Sequence, residues 1–391
     1  MNARTSRIAI NIGSGLVPGL DLVLAGAALA ADRLGWEVVG IRDGYDGLLF
    51  PERYSEGGLV PLSPAIADTA GCGGSRIGTG ARTDPFRVRT VTADSHVEEV
   101  DRSEDVLEAL RAAGIDAVIS VVGGSAITGL HALSVAFKLH RKGLRTVCVP
   151  KSIENEIASV PQAFGYNSVL SHTAELLDRI RSGARDVGRL AVVEVPGQHA
   201  GWLALQSGMA ALADAMLLPE IPYDLAKVAR ALGAREASGH RPALVVVAEG
   251  ARPDAGADAP PLEEGGLRSS LTPNADPDFG DGEHVIDRTG GAAKSVALAL
   301  QRMTDHDVLP FSLGHLVRGG PPTVLDRQLG LAYGAGAVQA LHAGEGGVMI
   351  VFRPPEIESV PLRETLGRIR TVPAASDVMQ TARSLGIAFG D

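Results

Sequence analysis

Short, almost unbroken apolar runs alternate along this chain with longer segments in which apolar residues recur every three or four positions. The runs Arg7–Ile12, Glu37–Arg42, Asp116–Val122, Arg145–Val149, Arg189–Val195, Pro242–Ala248 and Val308–Leu313 have the length and continuity of strands covered on both faces. The segments Leu20–Leu34, Thr128–Lys142, Ser168–Ser182, Leu203–Leu212, Tyr223–Leu232, Ala292–Met303 and Asp326–His342 carry the helical period. Asp326-Arg327 is read as the start of the last of these. Strands alternating with helices predict right-handed βαβ units, and so an α/β fold with doubly wound, mainly parallel sheets. Ala251–Gly291 breaks the rhythm. With Pro253, Pro260, Pro261, Pro273 and Pro277 among many acids and glycines, it is expected to be a long surface loop.

A chain of 391 residues is long enough for two domains. No apolar run reaches the roughly 18 residues of a membrane span, and the N-terminus carries no signal-peptide pattern. A net charge of −10 argues against a nucleic-acid backbone or an anionic membrane as partner. Cys72 and Cys148 are too few for a disulfide framework or a cysteine zinc site. His96, His131, His140, His172 and His240 lack metal-ligand spacing, so no protein-held metal site is predicted. The expected setting is cytoplasmic.

In open α/β sheets, ligands bind outside the carboxyl ends of strands. Four such ends carry suggestive loops. Gly13-Ser14-Gly15-Leu16-Val17-Pro18-Gly19 follows the first strand and opens a helix, an arrangement suited to phosphate, although it lacks the lysine of a P-loop. Gly123-Gly124-Ser125-Ala126 again joins strand to helix. Pro150-Lys151-Ser152-Ile153-Glu154-Asn155-Glu156 packs one cation and two carboxylates after a buried strand. Gly314-His315-Leu316-Val317-Arg318-Gly319-Gly320 offers an imidazole and a guanidinium, whose planar fork matches phosphate oxygens.

These loops, in this order, resemble those of the phosphofructokinases, most of all their longer-chain bacterial branch. Asp43-Gly44-Tyr45-Asp46-Gly47, Gly73-Gly74 through Gly80-Ala81-Arg82, Glu194-Val195-Pro196-Gly197-Gln198-His199-Ala200-Gly201-Trp202 and Ala248-Glu249-Gly250 extend the likeness nearly end to end. The resemblance implies two doubly wound domains. The larger, donor-side domain would comprise 1–165 and 317–367, and the smaller, sugar-phosphate domain 166–316 and 368–391. It implies phosphoryl transfer from ATP or pyrophosphate to the 1-hydroxyl of fructose 6-phosphate in a homodimer or homotetramer. On the sugar side, His315 and Arg318 would hold the 6-phosphate, Arg189 would reach it from a neighbouring subunit, Glu249 would bind hydroxyls, and Ser152 would contact the acceptor. Glu154 would be the base and Arg82 would span acceptor and transferring group, while Gly15, Gly124, Ser125 and Lys151 would line the donor.

The donor half departs from the family pattern. Both aspartates of the third loop are glutamates here, which moves the base at Glu154 by about 1.5 Å, and a shift near 1 Å can cost about 10²-fold. Ser125 stands where an acid helps hold Mg2+, and a hydroxyl cannot replace a carboxylate toward a hard cation. Gln198 replaces an arginine that steadies the transferring group, a loss worth about 10²–10³-fold. Leu309 stands where many relatives place a second cross-subunit arginine. Three readings stay open: a phosphotransferase of altered or weak activity; a non-catalytic sugar-phosphate binder; and a repurposed enzyme in which Glu154, Glu156, His199 and Lys151 supply acid–base chemistry.

Overall fold

The structure is a computed structural model that describes residues 7–71, 73–80, 83–91, 96–123, 130–254 and 291–391. In chain order the strands are β1 (Arg7–Ile12), β2 (Glu37–Ile41), β3 (Leu59–Pro61), β4 (Val88–Val91), β5 (Val97–Val100), β6 (Ala117–Val122), β7 (Arg145–Pro150), β8 (Leu190–Val195), β9 (Ala215–Leu217), β10 (Leu244–Ala248), β11 (Val308–Ser312), β12 (Val348–Arg353) and β13 (Glu356–Pro361). The chain divides into two compact units: Met1–Ser168 with Arg318–Ile369, and Val169–Val317 with Arg370–Asp391.

The first unit is built on a seven-stranded sheet ordered β13-β12-β7-β6-β1-β2-β3. Its middle strands β12, β7, β6, β1 and β2 run parallel, and the edge strands β3 and β13 run antiparallel to their neighbours. A separate antiparallel hairpin joins β4 to β5. Parallel strands covered on both faces need apolar residues at every position, and β6 is buried throughout. The helix Leu20–Arg33 packs along the helix Val324–His342 with almost no gap. A Cβ on Gly26 would lie 2.2 Å from the Leu331 carbonyl oxygen, and one on Gly334 would lie 2.2 Å from that of Val23. Only glycine permits such an approach, and it explains why Leu20–Ala28 is buried on every side.

The helix Val324–His342 begins two residues before Asp326, with Thr323 as its N-cap. Asp326 does more than mark a helix start. Its buried carboxylate accepts N–H bonds from Gly165 (2.9 Å) and Ser168 (2.6 Å) and the Ser168 hydroxyl (2.6 Å). It thus satisfies the orphan donors at the head of the helix Tyr166–Asp186, which lies far away in sequence.

The second unit holds a four-stranded, wholly parallel sheet ordered β11-β8-β10-β9. Its core gathers Leu190, Val192, Val245 and Val247 from the strands with Val228, Leu232, Val296 and Leu300 from two covering helices. Buried Glu194, on β8, accepts the Ala292 and Ala293 N–H groups (2.8 and 3.0 Å) and so caps the helix Gly291–Met303. The segment after residue 369 is fastened to this unit. The Trp202 indole donates to the Arg370 carbonyl (2.7 Å), the Arg370 guanidinium stacks 4.0 Å over the Trp202 ring, and Glu220 accepts from Val372 (2.8 Å). Of the expected surface loop Ala251–Gly291, residues 255–290 lie outside the described residues, and Gly291 already opens the helix Gly291–Met303. Among the described residues no helix is long and apolar enough to cross a membrane.

Candidate functional site

In each unit most of the described residues singled out by sequence collect where neighbouring strands end, Arg189 and Leu309 excepted. In the first unit, β1, β6 and β7 lie side by side, and their carboxyl ends lead into the loops at 13–19, 123 and 151–156. Gly15 sits at φ +88°, in the left-handed region that glycine enters without cost. The space a side chain there would enter is bounded by the Arg318 Nη1 at 3.4 Å and the Lys151 Nζ at 3.5 Å. Gly123 leaves room for Lys151 itself, since a Cβ would strike the Lys151 carbonyl at 2.5 Å and its Cγ at 3.0 Å.

Lys151 is fully buried, and its ammonium donates to the Ser14 carbonyl and, at 2.6 Å, to that of Gly15. It therefore ties the loop after β1 to the end of β7. Burial, reinforced by the neighbouring Arg318 charge, pushes the Lys151 amine down to about 7, against the pull of Glu156.

The two glutamates of the third loop differ in their surroundings. Ser152 Oγ accepts the Glu154 and Asn155 N–H groups, both at 2.9 Å, and donates its proton to Glu156. Glu156 is thereby turned inward, and burial raises its carboxyl above the ordinary range despite Ser152, Lys151 and Arg318. Glu154 is half-buried at the same bend. Asn155 adopts φ +55° and is held there by accepting from Ala163 N–H (2.9 Å) and donating to the Pro161 carbonyl (3.2 Å). The return limb closes the loop, with Ser152 N–H donating to Phe164 O (3.1 Å) and Phe164 N–H to Pro150 O (3.0 Å).

In the second unit the adjacent strands β11, β8 and β10 end at His315, at Gln198 with His199, and at Glu249. His315 is exposed on the short turn Gly314–Arg318, and Glu249 is half-buried, its N–H donating to Val195 O at 3.0 Å. Burial, with the Arg252 charge, lowers the His199 imidazole below its ordinary value, and its buried Nε2 has no hydrogen-bond partner among the described residues. Arg189 stands at the opposite end of the sheet, just before β8, exposed and paired to Asp307 at 2.6 Å. Leu309 is half-buried on β11.

Arg82, Gly124, Ser125, Ala126 and Cys72 lie outside the described residues. Sequence reasoning missed the inward bonds of Ser152 and Glu156 and the capping carboxylates of Asp326 and Glu194. Only the polar identity of these residues inside apolar surroundings pointed to them. Among the described residues no three of His, Cys, Asp and Glu are grouped as a metal cage.

A family model described as Phosphofructokinase matches residues 7–341. The chain is 36% identical over 399 residues to an ATP-dependent 6-phosphofructokinase of Chloroflexus aggregans, a match covering all of this chain and 99% of the relative. It is 35% identical to an ATP-dependent 6-phosphofructokinase 2 of Streptomyces coelicolor, over 97% of this chain and 99% of that one. Among solved structures, a pyrophosphate-dependent phosphofructokinase from Nitrosospira multiformis aligns over the whole chain and 93% of its own length, with TM-score 0.72 and 18% identity. Phosphofructokinase of Pichia pastoris aligns with TM-score 0.72 and 24% identity over 93% of this chain and 36% of its own. At those identities the structural likenesses speak for the fold alone.

Proposed function

The chain belongs to the phosphofructokinase family, and from that premise we propose that it is an ATP-dependent phosphotransferase acting on a phosphorylated ketose, fructose 6-phosphate by default. The observation that carries the reading is the end-to-end identity with relatives named ATP-dependent 6-phosphofructokinase. The half-buried Glu154 supports it as the base. In this reaction Glu154 takes the proton of the sugar 1-hydroxyl, and that oxygen bonds to the γ-phosphorus of ATP. The bond to the bridging oxygen breaks, and ADP leaves with its electron pair. Mg2+ bound with the nucleotide supplies neutralisation of the phosphate charge. Glu249 and His315 serve the sugar phosphate, and Arg82, Gly124 and Ser125 belong to the donor side.

Arg189 lies at the amino end of β8, roughly 20 Å along the strand from the carboxyl end where His199 sits. Its proposed contact with a sugar phosphate is therefore made in a second copy of the chain, and the working form is a cytoplasmic homo-oligomer. The glutamate at 154 and Gln198 in place of arginine make turnover slower than the roughly 10 s⁻¹ typical of enzymes. One observation favours a second reading, a sugar-phosphate binder without turnover: position 125 carries no carboxylate for Mg2+.

A coupled assay of ADP release, with phosphorus NMR of the sugar product, tests both. Magnesium-dependent formation of a bisphosphorylated ketose, reduced at least about 10²-fold in Glu154→Gln, is the expected outcome. Absence of product, with thermal stabilisation by fructose 6-phosphate alone, overturns turnover and leaves the binder.

A further inference from the structure

Resting on the phosphotransferase reading, we infer that Asn155 is a positioning residue of the reaction, the one that sets Glu154 apart from Glu156 as the base. The two glutamates stand two residues apart, and in an extended segment side chains at that spacing share one face. Here their surroundings differ: Glu156 is 2% exposed and turned to Ser152, whereas Glu154 is half-buried. The residue between them makes the difference. Asn155 sits at φ +55°, a region most side chains avoid and asparagine tolerates better than most. Ser159, at φ +65°, bends the same loop again, so two of the four described non-glycine residues with positive φ fall in this one loop. Such strain persists only where the surroundings enforce it, and it gathers at functional sites.

The enforcement comes from the Asn155 side chain. Ser152 N–H donates to Phe164 O and Phe164 N–H to Pro150 O, a short backbone ladder between the outgoing and returning limbs of the loop. Past Ser152 the carboxamide of Asn155 continues that ladder, accepting from Ala163 N–H at 2.9 Å and donating to Pro161 O at 3.2 Å. A carboxamide carries the same donor and acceptor as a peptide unit, so it stands in for backbone there. The Asn155 backbone is thereby released to turn, and its own N–H goes to Ser152 Oγ at 2.9 Å. Asn155 is 4% exposed and Ala163 fully buried, which keeps water from competing for these bonds. Aspartate at this position would keep the acceptor and lose the donor; alanine would lose both.

The test is steady-state kinetics of the full-length protein with ATP, magnesium and fructose 6-phosphate, with thermal denaturation to establish folding. Asn155→Gly, which keeps the left-handed turn but loses both side-chain bonds, is expected to lower kcat by about tenfold or more. KM for both substrates should stay within about threefold, because the change falls on the base and not on binding. Asn155→Ala, which loses the bonds and must also bear the turn, should lose more, about 10²-fold. Asn155→Asp should lose least, and it remains the folded comparator if the other variants unfold. In a Glu154→Gln background, Asn155→Gly should change the residual kcat by less than about threefold, since the group it positions is already gone. Equal losses in the two backgrounds, unchanged kcat in folded Asn155→Gly, or a rise in KM alone each overturns the inference. Wild-type protein that forms no bisphosphorylated ketose overturns the phosphotransferase reading itself, and the inference falls with it; the two failures are thereby distinguished.

Discussion

The two strand-end clusters handle polar groups in opposite ways. In the first unit Lys151, Ser152 and Glu156 are buried and bonded to one another or to neighbouring backbone before any ligand arrives. In the second, His315 is exposed and Glu249 and His199 are half-buried. Desolvation in the first cluster is already offset within the fold, and its groups are fixed in place. In the second cluster His315 is exposed and Glu249 half-buried, so part of their desolvation cost falls on ligand binding. Under the proposed function the pre-fixed cluster suits the reacting phosphate, because group transfer tolerates little misplacement.

The largest test of this contrast is removal of the inward acid. Glu156→Ala leaves Lys151 and Arg318 without the neighbouring carboxylate and takes the acceptor from Ser152. Chemical denaturation should show a loss of about 3 kcal/mol or more. His315→Ala, exposed in the other cluster, should fall within about 0.5 kcal/mol of wild type. Comparable losses in the two variants would erase the distinction.

Next in size is the pH dependence of stability. Lys151 titrates near 7 in the folded chain against 10.5 when unfolded. The unfolded chain therefore holds the proton between those values when the folded one does not. Stability rises with pH across that window, by at most about 1.4 kcal/mol per unit, and is lost as pH falls to 7. His199 is lowered from 6.5, so its contribution is present above pH 6.5 and lost as pH falls through the folded value. Denaturation curves from about pH 5.5 to 9.5 should show Lys151→Met flattening the upper window and His199→Gln the lower one. A Lys151→Met slope equal to wild type above pH 7 would break the contrast.

The smallest test concerns backbone strain. Asn155 (φ +55°) and Leu212 (φ +51°) occupy the same unfavourable region. Asn155 is held by two side-chain hydrogen bonds in the site loop, while Leu212 merely ends the helix Trp202–Ala210, half its surface in solvent. Leu212→Gly should gain about 0.5–1 kcal/mol, whereas Asn155→Gly should lose about 1–2 kcal/mol because both bonds go with the side chain. A gain at both positions would mean that the site loop is no better supported than an ordinary helix end.

The α/β class and family membership were legible in the sequence for identifiable reasons. Strands such as Ala117–Val122 are apolar at every position but Ser120 because both faces are covered, and the loop motifs kept their order along the chain. Val348–Arg353 carries the same signal and went unread, as did the helix Ser103–Ala112 with Val106, Leu107 and Leu110 at helical spacing. The half-exposed hairpin of β4 and β5 is short and left little trace. Within the candidate site, the loops were legible and the bonding was not. Whether Ser152 turns its hydroxyl outward or toward Glu156 depends on the bend between them. Whether Asp326 serves its own helix or another depends on a partner about 160 residues away. Contacts of that range leave no periodicity to read.

The discontinuous first unit has a consequence for synthesis. About 150 residues of the second unit emerge between Ser168 and Arg318. At ribosomal rates of roughly 5–20 residues per second, the early part waits on the order of 10–30 s for its remainder. Meanwhile β7 lacks its neighbour β12, the buried face of the helix Leu20–Arg33 lacks the glycine-lined surface it will press against, and the helix beginning at Tyr166 lacks the Asp326 carboxylate. A nascent chain in that interval presents an open parallel strand edge beside bare aliphatic surface, a combination that invites misassembly.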